Sequence, residues 1–250
     1  MKNLNMRKRL ILRSILNNNY MSKKDIRVIN GHEHILYRPV IYSEDEMVNR
    51  TRSFYELANG RRSIRTFSDK PIPREIMINI IKTAGTSPSG ANKQPWTFCL
   101  VSNPAIKKQI RIAAEEEEYQ SYHKRMSEEW LKDLKPMGTD WNKPFIEKAP
   151  WLIVVFRKIY DIEKNGLKTN NYYVTESIGL ACGMLLLAAH NAGLSALTHT
   201  PSPMNFLSSI LNRPENERPF LLIPVGYPEE ETFVPNIKRK NLDEICVRYE

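Results

Sequence analysis

The chain has 250 residues and a formal net charge of +9, with 41% hydrophobic and 26% charged residues. This length and composition suit one well-buried globular domain with extensions, and they exclude a fibrous or largely disordered chain. The basic residues are spread out and mixed with acidic runs, without zinc-finger spacing or a basic recognition helix, so no nucleic-acid partner is expected. No segment is long and apolar enough to span a bilayer, so no stable membrane insertion is expected.

The cysteines and histidines predict neither a disulfide framework nor a metal site. Cys99, Cys182 and Cys246 are an odd number, placed in a predicted strand, a predicted helix and the tail. This pattern is typical of reduced thiols, and we expect a cytoplasmic protein. His32-Glu33-His34 could form part of a metal site, but we interpret it as a solvated loop because no third ligand is near in the sequence.

The first 50 residues differ from the remainder. We predict that residues 1–50 form a basic leader and an extended arm, and that residues 51–250 form the domain. Residues 1–24 contain several basic and no acidic residues. They are either an organellar presequence or, as we favour, a disordered basic leader upstream of a second start at Met21.

Helices and strands alternate through the domain. A helix is predicted through Phe54–Leu57, a second after Pro73, a third from Pro104 that carries Glu115–Glu118, and a long one over 172–192. The last is apolar nearly all round, so it must be buried by a core or by a subunit interface. Strands are predicted over 97–101, 152–156 and 221–226. This order indicates an α/β or α+β domain.

Two short segments carry the strongest chemical signal. Arg61-Arg62-Ser63-Ile64-Arg65 places three guanidinium groups and a hydroxyl within five residues, which suits a phosphate. Pro88–Trp96 is a loop whose glycine and alanine allow backbone N–H groups to approach a flat ligand. Each alone could be surface charge or an ordinary turn. Together they favour a phosphate-bearing cofactor.

These segments, with several others, resemble the nitroreductase superfamily of FMN enzymes and, within it, the iodotyrosine deiodinase branch. The other stretches that carry the resemblance are Thr-Ala-Gly-Thr-Ser-Pro-Ser-Gly-Ala (83–91), Gln-Pro-Trp-Thr-Phe (94–98), Glu-Glu-Glu-Glu (115–118), Lys-Arg-Met (124–126), Ala-Cys-Gly (181–183), Asn-Ala-Gly-Leu (191–194), Pro-Val-Gly-Tyr-Pro (224–228) and Lys-Arg-Lys (238–240). The resemblance implies an α+β nitroreductase-like fold with a central mixed sheet flanked by helices. It also implies a domain-swapped homodimer, a lid over about 115–145 and a C-terminal dimer-exchange tail.

The resemblance also implies the residues that hold FMN. These are Arg61, Arg62, Ser63, Ile64, Arg65, Ser89, Thr198, His199, Thr200 and Arg239. Thr200 is the implied catalytic residue, because its hydroxyl would reach flavin N5 and support single-electron steps. His199 stands where the vertebrate enzymes carry threonine, and the loop after it is one residue shorter.

Four further residues are implied in substrate binding. The backbone N–H of Ala91 would meet the phenolate, while Glu118, Tyr122 and Lys143 would clamp the amino-acid end. Glu118 and Tyr122 are four apart in the predicted helix and therefore project from one face. A zwitterion needs both signs of charge, and this trio supplies them. Without the resemblance, the same residues would be read as a solvated helix face and a surface lysine.

The function implied is FMN-dependent reductive dehalogenation, converting mono- and diiodotyrosine to tyrosine and iodide. Electrons would come from an external reductase or from NADPH. The first alternative is a broader FMN nitroreductase or quinone reductase, which the lid trio disfavours. The second is a basic binding protein that uses the fold without catalysis.

Overall fold

The structure is a computed structural model, described here for residues 25–250. The presequence or leader predicted for residues 1–24 lies outside the described residues. Within the described range the chain falls into two units, which divide between Arg52 and Ser53. The helix predicted through Phe54–Leu57 lies within helix α1, which runs over Glu44–Gly60.

The first unit contains a β-hairpin that was not predicted. Strands β1 (Ile26–Ile29) and β2 (His32–Ile35) pair antiparallel. Asn30 and Gly31 join them with φ of 51° and 81°, the positive values that an Asn-Gly hairpin turn requires. The interpretation of His32–His34 as a loop is therefore wrong, since these residues form β2. All of them are exposed.

The second unit contains the remaining elements. Its α-helices are α2 (Arg74–Gly85), α3 (Pro104–Gln120), α4 (Glu128–Leu134), α5 (Phe145–Lys148), α6 (Val174–Asn191), α7 (Asn205–Ile210) and α8 (Leu242–Ile245). Its strands are β3 (Trp96–Val101), β4 (Trp151–Lys158), β5 (Tyr160–Ile162), β6 (Lys168–Asn170), β7 (Ser195–Ala196) and β8 (Glu217–Gly226). The helices and strands predicted after Pro73 are confirmed, with ends that differ by a few residues.

The central sheet has the strand order β3-β4-β8-β7, and all of these neighbours pair antiparallel. Ser63 adds a parallel bridge to Ala196 at the β7 edge, so the sheet is mixed through this bridge. The predicted α+β class is confirmed. The bridge also places the arginine segment directly beside one edge of the sheet.

Strand β4 explains why the sheet is the middle layer. Leu152, Val154 and Phe156 pack into one hydrophobic cluster, with residues of α3, α5 and α7. Ile153 and Val155 pack into a second cluster, with residues of α2 and α6. Successive side chains of a strand point to opposite faces, so a continuous apolar run is what a strand covered on both faces requires.

Helix α6 is buried on only one face. Ile178, Ala181 and Leu185 are fully buried, whereas Leu180 on the other face is 55% exposed. A Cβ added to Gly179 or to Gly183 would meet no atom within 4 Å. The second face of this apolar helix is thus open in the described chain. No helix among the described residues is long and apolar enough to cross a membrane.

Candidate functional site

A first cavity, of about 200 Å³, gathers the predicted phosphate ligands, and we call it the arginine cavity. Its lining residues are Arg61, Arg62, Ser63, Arg65, Met137, Pro235, Ile237, Lys238 and Arg239. Within the described part of the chain, this lining includes cationic side chains and no carboxylate. Such a set repels cations and attracts an anion with several oxygens, such as a phosphate monoester.

The C-terminal tail completes the arginine cavity because it is bonded to the segment around Arg61. Arg239 donates hydrogen bonds to the carbonyl of Asn59 at 3.0 Å and to that of Arg61 at 2.9 Å. Arg62 donates to the carbonyl of Pro235. The last carbonyls of a helix have no partner within the helix, and Asn59 lies in the last turn of α1. Arg239 therefore caps α1 and holds the tail at the cavity.

A second cavity, of about 140 Å³, gathers the predicted lid residues, and we call it the lid cavity. Its lining residues are Arg65, Glu118, Tyr122, Met126, Trp130, Leu134, Thr139, Lys143, Phe145, Leu197, Thr198, His199 and Thr200. Arg65 lines both cavities. It is half-buried, and desolvation lowers the pKa of its guanidinium. An arginine side chain stays charged in proteins, so this residue contributes a positive charge to both cavities.

Helix α3 positions Glu118, the acidic residue of the lid cavity. The Asn103 side chain caps its N-terminus by accepting from the backbone N–H groups of Ala105 and Ile106. Glu115 accepts from Arg111 at 2.7 Å, and Glu118 is buried with 7% exposure. The run of glutamates is therefore not one solvated face, because its members have different surroundings.

Glu118 and Lys143 form a buried ion pair, with Nζ 3.1 Å from Oε2. Lys143 is 3% exposed, and its Nζ also donates to Thr139 Oγ1 at 3.2 Å and to the carbonyl of Asp140. Burial raises the pKa of Glu118, and the charge of Lys143 opposes that rise. The two charges predicted to bind a zwitterion are therefore paired with each other in this structure.

Tyr122 lies on a π-helical turn, Ser121–Arg125, that follows α3 directly. Its hydroxyl donates to the carbonyl of Thr139 at 3.3 Å, and its ring lies 5.3 Å from Lys143 Nζ. Burial raises the pKa of the Tyr122 phenol, so the hydroxyl stays protonated and able to donate. Single π-helical turns are frequent at functional sites. The predicted trio of Glu118, Tyr122 and Lys143 is brought together.

The segment Thr198–Thr200 alternates in exposure, because Thr198 and Thr200 are exposed while His199 is buried. The backbone N–H and carbonyl of His199 both bond to Leu222, at 2.9 and 3.0 Å. Its ring packs edge-on against Phe145, with centroids 5.4 Å apart. Burial, followed by the charges of Lys143 and Arg65, lowers the pKa of His199 to about 3. The imidazole is therefore neutral at neutral pH.

Three predicted site residues, Ile64, Ser89 and Ala91, line neither cavity. Ile64 is buried in the hydrophobic core, whereas Ser89 and Ala91 lie in the loop before β3. The Ser89 hydroxyl accepts from the backbone N–H of Gln94 at 2.9 Å, which closes the loop. Ala91 has φ of 49°, and a Cβ on Gly90 would approach Tyr173 Cδ2 to 2.9 Å. The loop is thus tightly packed, and Ala91 is exposed on it.

Sheet topology explains this separation. The loop leads into Trp96 at one end of β3. Because β4 pairs with both β3 and β8, the register places Trp96 level with Arg218 of β8. Ser63 bridges Ala196 beside the opposite end of β8, three strands away. At ~4.8 Å per strand and ~3.3 Å per residue, the two points lie roughly 14 Å apart across the sheet and roughly 23 Å apart along it.

The lid cavity also has an apolar wall, which was not predicted. Met126, Trp130 and Leu134 line it and are spaced four apart, a signal that was available. Glu115 was likewise not predicted as a site residue, and its Oε1 accepts from the backbone N–H of Lys143 at 2.7 Å. That contact crosses from α3 to the loop before α5, and no local pattern indicates it.

Comparison with known proteins gives the family of the chain. The nitroreductase family profile matches residues 58–227. The iodotyrosine deiodinase of Haliscomenobacter hydrossis is 58% identical, over 86% of this chain and 97% of that protein. Human iodotyrosine deiodinase 1 is 46% identical, over 86% of this chain and 75% of that protein.

A solved structure of iodotyrosine deiodinase bound to FMN and 3-iodo-L-tyrosine superposes with a TM-score of 0.66 at 34% identity, covering 79% of this chain and 98% of that one. An FMN-bound nitroreductase from Bacteroides fragilis, 20% identical with a TM-score of 0.59 over 78% and 98% of the two chains, shares the fold. The chain therefore belongs to the nitroreductase family and, within it, to the iodotyrosine deiodinases.

Proposed function

We propose that this protein is an FMN-dependent enzyme that removes iodide reductively from mono- and diiodotyrosine. The observation that carries the proposal is the lid cavity, in which a buried carboxylate and a buried ammonium lie side by side next to an arginine-lined cavity. Relatives named iodotyrosine deiodinase at 46–58% identity support the same activity. The reaction replaces a C–I bond by a C–H bond and consumes two electrons and a proton.

The arginine cavity fits the phosphate of FMN. Arg61, Arg62, Arg65 and Arg239 supply permanent positive charge, and Ser63 supplies a hydroxyl. Ile64 is buried in the hydrophobic core, and its backbone N–H donates to the carbonyl of Ala196 at the edge of β7, which fixes the segment. When bound, FMN supplies the redox chemistry, and the protein supplies binding and orientation.

Thr198, His199 and Thr200 follow β7 and lead from Leu197 into the lid cavity, and we propose that this segment lies beside the flavin ring. The exposed hydroxyl of Thr200 would hydrogen-bond N5 there, which makes Thr200 the catalytic residue of the proposal. The backbone of the neighbouring His199 fixes the segment, which leaves the Thr200 side chain available for this contact.

The lid cavity recognises the amino-acid end of the substrate in this proposal. Glu118 would bind the ammonium group, while Lys143 and the Tyr122 hydroxyl would bind the carboxylate. A zwitterion entering between Glu118 and Lys143 gives each of them a new opposite charge. The buried pair can therefore open without leaving either charge uncompensated.

We propose that the active form is a domain-swapped homodimer, with Ser89 and Ala91 supplied by the second copy. Ser89 would contact the flavin, and the Ala91 N–H would bind the substrate phenolate. Both lie at the opposite corner of the sheet from the arginine cavity of their own chain. The open face of α6 around Leu180 and the exposed tail residue Phe233 offer apolar surface for the partner.

Electrons reach the flavin in this proposal from an external reductase or from NADPH. The alternative of a broad nitroreductase or quinone reductase has no need for a buried pair of opposite charges beside the flavin. We also propose a cytoplasmic location, to which the free thiols of Cys99, Cys182 and Cys246 are suited.

The test is a single-turnover experiment on the purified, flavin-loaded protein. The flavin is reduced under anaerobic conditions, diiodotyrosine is added, and flavin absorbance and free iodide are measured together. We expect reoxidation with stoichiometric iodide release. Reoxidation by nitroarenes and quinones without any by diiodotyrosine would instead establish the broader reductase.

A further inference from the structure

We propose that His199 is a positioning residue, which donates a hydrogen bond to the Glu118 carboxylate when that carboxylate binds the ammonium group of the substrate. This inference rests on the proposed function. It gives His199 a place on the substrate side of the site, rather than a side-chain role in holding the cofactor.

The geometry of the two side chains supports this role. His199 Nε2 lies 4.0 Å from Glu118 Oε1, and Lys143 occupies the other carboxylate oxygen. Nε2 is buried and has no hydrogen-bond partner within the described residues. Buried polar groups are normally bonded, so an unpaired one facing a ligand cavity calls for an explanation. A movement of about 1 Å brings the pair to hydrogen-bond distance.

The rest of the His199 residue is fixed, so the movement belongs to Glu118. Both backbone groups of His199 are bonded to Leu222, and its ring packs edge-on against Phe145. Glu118 is near the end of α3, one turn before the π-helical segment, and its carboxylate is ion-paired with Lys143. When the substrate carboxylate draws Lys143 away, Glu118 can turn toward Nε2.

The charges around Glu118 explain why a neutral donor is needed. Lys143 faces it from the loop before α5 and Tyr122 from the π-helical turn, with Asp140 beside Lys143. Arg65, in the segment after α1, acts on His199 and Tyr122. Burial already raises the pKa of Glu118. A neutral imidazole N–H stabilises the carboxylate without repelling the incoming ammonium, as a further cation would.

The experiment compares three variants of the flavin-loaded protein. His199→Gln keeps an N–H donor, His199→Phe keeps the ring against Phe145 without a donor, and His199→Thr keeps neither. Dissociation constants for iodotyrosine and iodophenol are measured by flavin fluorescence quenching from about pH 5 to about pH 8. Iodophenol is the internal control because it lacks the ammonium group.

We expect the Phe and Thr variants to bind iodotyrosine about ten-fold more weakly, while the Gln variant stays near wild type. Iodophenol affinity and FMN occupancy should not change. The acid limb of iodotyrosine binding should also move to higher pH in the Phe and Thr variants. Glu118 without its donor has a higher pKa, so it is protonated, and loses the ammonium, at a higher pH.

Wild-type protein that does not bind iodotyrosine would overturn the proposed function, and this inference with it. Tight wild-type binding with an unchanged acid limb in the Phe and Thr variants would overturn the role of His199 alone. Loss in the Gln and Thr variants with the Phe variant near wild type would mean that ring packing, and not the donor, supports binding, and would also overturn it. An equal loss in all three variants would overturn it as well, because the Gln variant keeps a donor. Nitrogen-15 NMR of the folded wild-type protein is a second test, in which a neutral ring protonated on Nδ1 rather than Nε2 refutes the donor.

Discussion

The buried pair of Glu118 and Lys143 allows the sharpest test of substrate recognition. Replacing either residue by glutamine removes one charge-assisted contact to a zwitterion, which is typically worth ~1.5–3 kcal/mol. The substrate must also compete with an existing pair at 3.1 Å, so the lower end of this range applies. We therefore expect about ten-fold weaker binding of iodotyrosine in Glu118→Gln and in Lys143→Gln.

The assay is quenching of flavin fluorescence by iodotyrosine and by iodophenol, on wild type and both variants. Iodophenol has neither ammonium nor carboxylate, so its affinity should stay within about two-fold. Glu116→Gln is the matched control, because Glu116 is exposed on the same helix and bonds to Gln120. Melting temperature and FMN occupancy are recorded for each variant, since removing one partner of a buried pair also lowers stability.

Equal loss of affinity for both ligands would refute the reasoning. It would mean that the pair supports the fold of the lid cavity and does not bind the amino-acid end of the substrate. The assignment to a deiodinase would then reduce to a general flavin reductase. Unchanged affinity for iodotyrosine in both variants would refute it equally, because a buried charge that contacts the substrate cannot be neutralised without cost.

Three further predictions concern the cofactor and the assembly. Arg65→Ala should weaken FMN affinity about ten-fold or more, because it removes a charge-assisted contact. Arg74→Ala is the control, since Arg74 is exposed. Full flavin occupancy and unchanged affinity in Arg65→Ala would remove Arg65 from the phosphate site. Thr200→Ala should retain FMN but slow iodide release more than nitroarene reduction, while Thr200→Ser keeps the hydroxyl and the rate. Light scattering should give a dimer at micromolar concentration that Leu180→Glu weakens; a stable, flavin-bound wild-type monomer would contradict the shared site.

The sequence by itself determined the elements whose signal is local. Continuous apolar residues predicted β4, and Pro73 with regularly spaced isoleucines predicted α2, because hydrophobic periodicity follows the geometry of each element. The arginine segment could be assigned to an anion for a similar reason, since its charges lie within five residues. The hairpin of β1 and β2 was also encoded, in Asn30-Gly31, and was overlooked.

Tertiary structure decided which distant residues meet. Glu118 and Lys143 are joined across the fold, and sequence spacing gives no measure of such a distance. The burial that raises the pKa of Glu118 and keeps His199 neutral depends on neighbours from several elements, so no local pattern contains it. The sheet likewise separates Ser89 from Arg65, because strand order and not position in the chain sets the distance across a sheet.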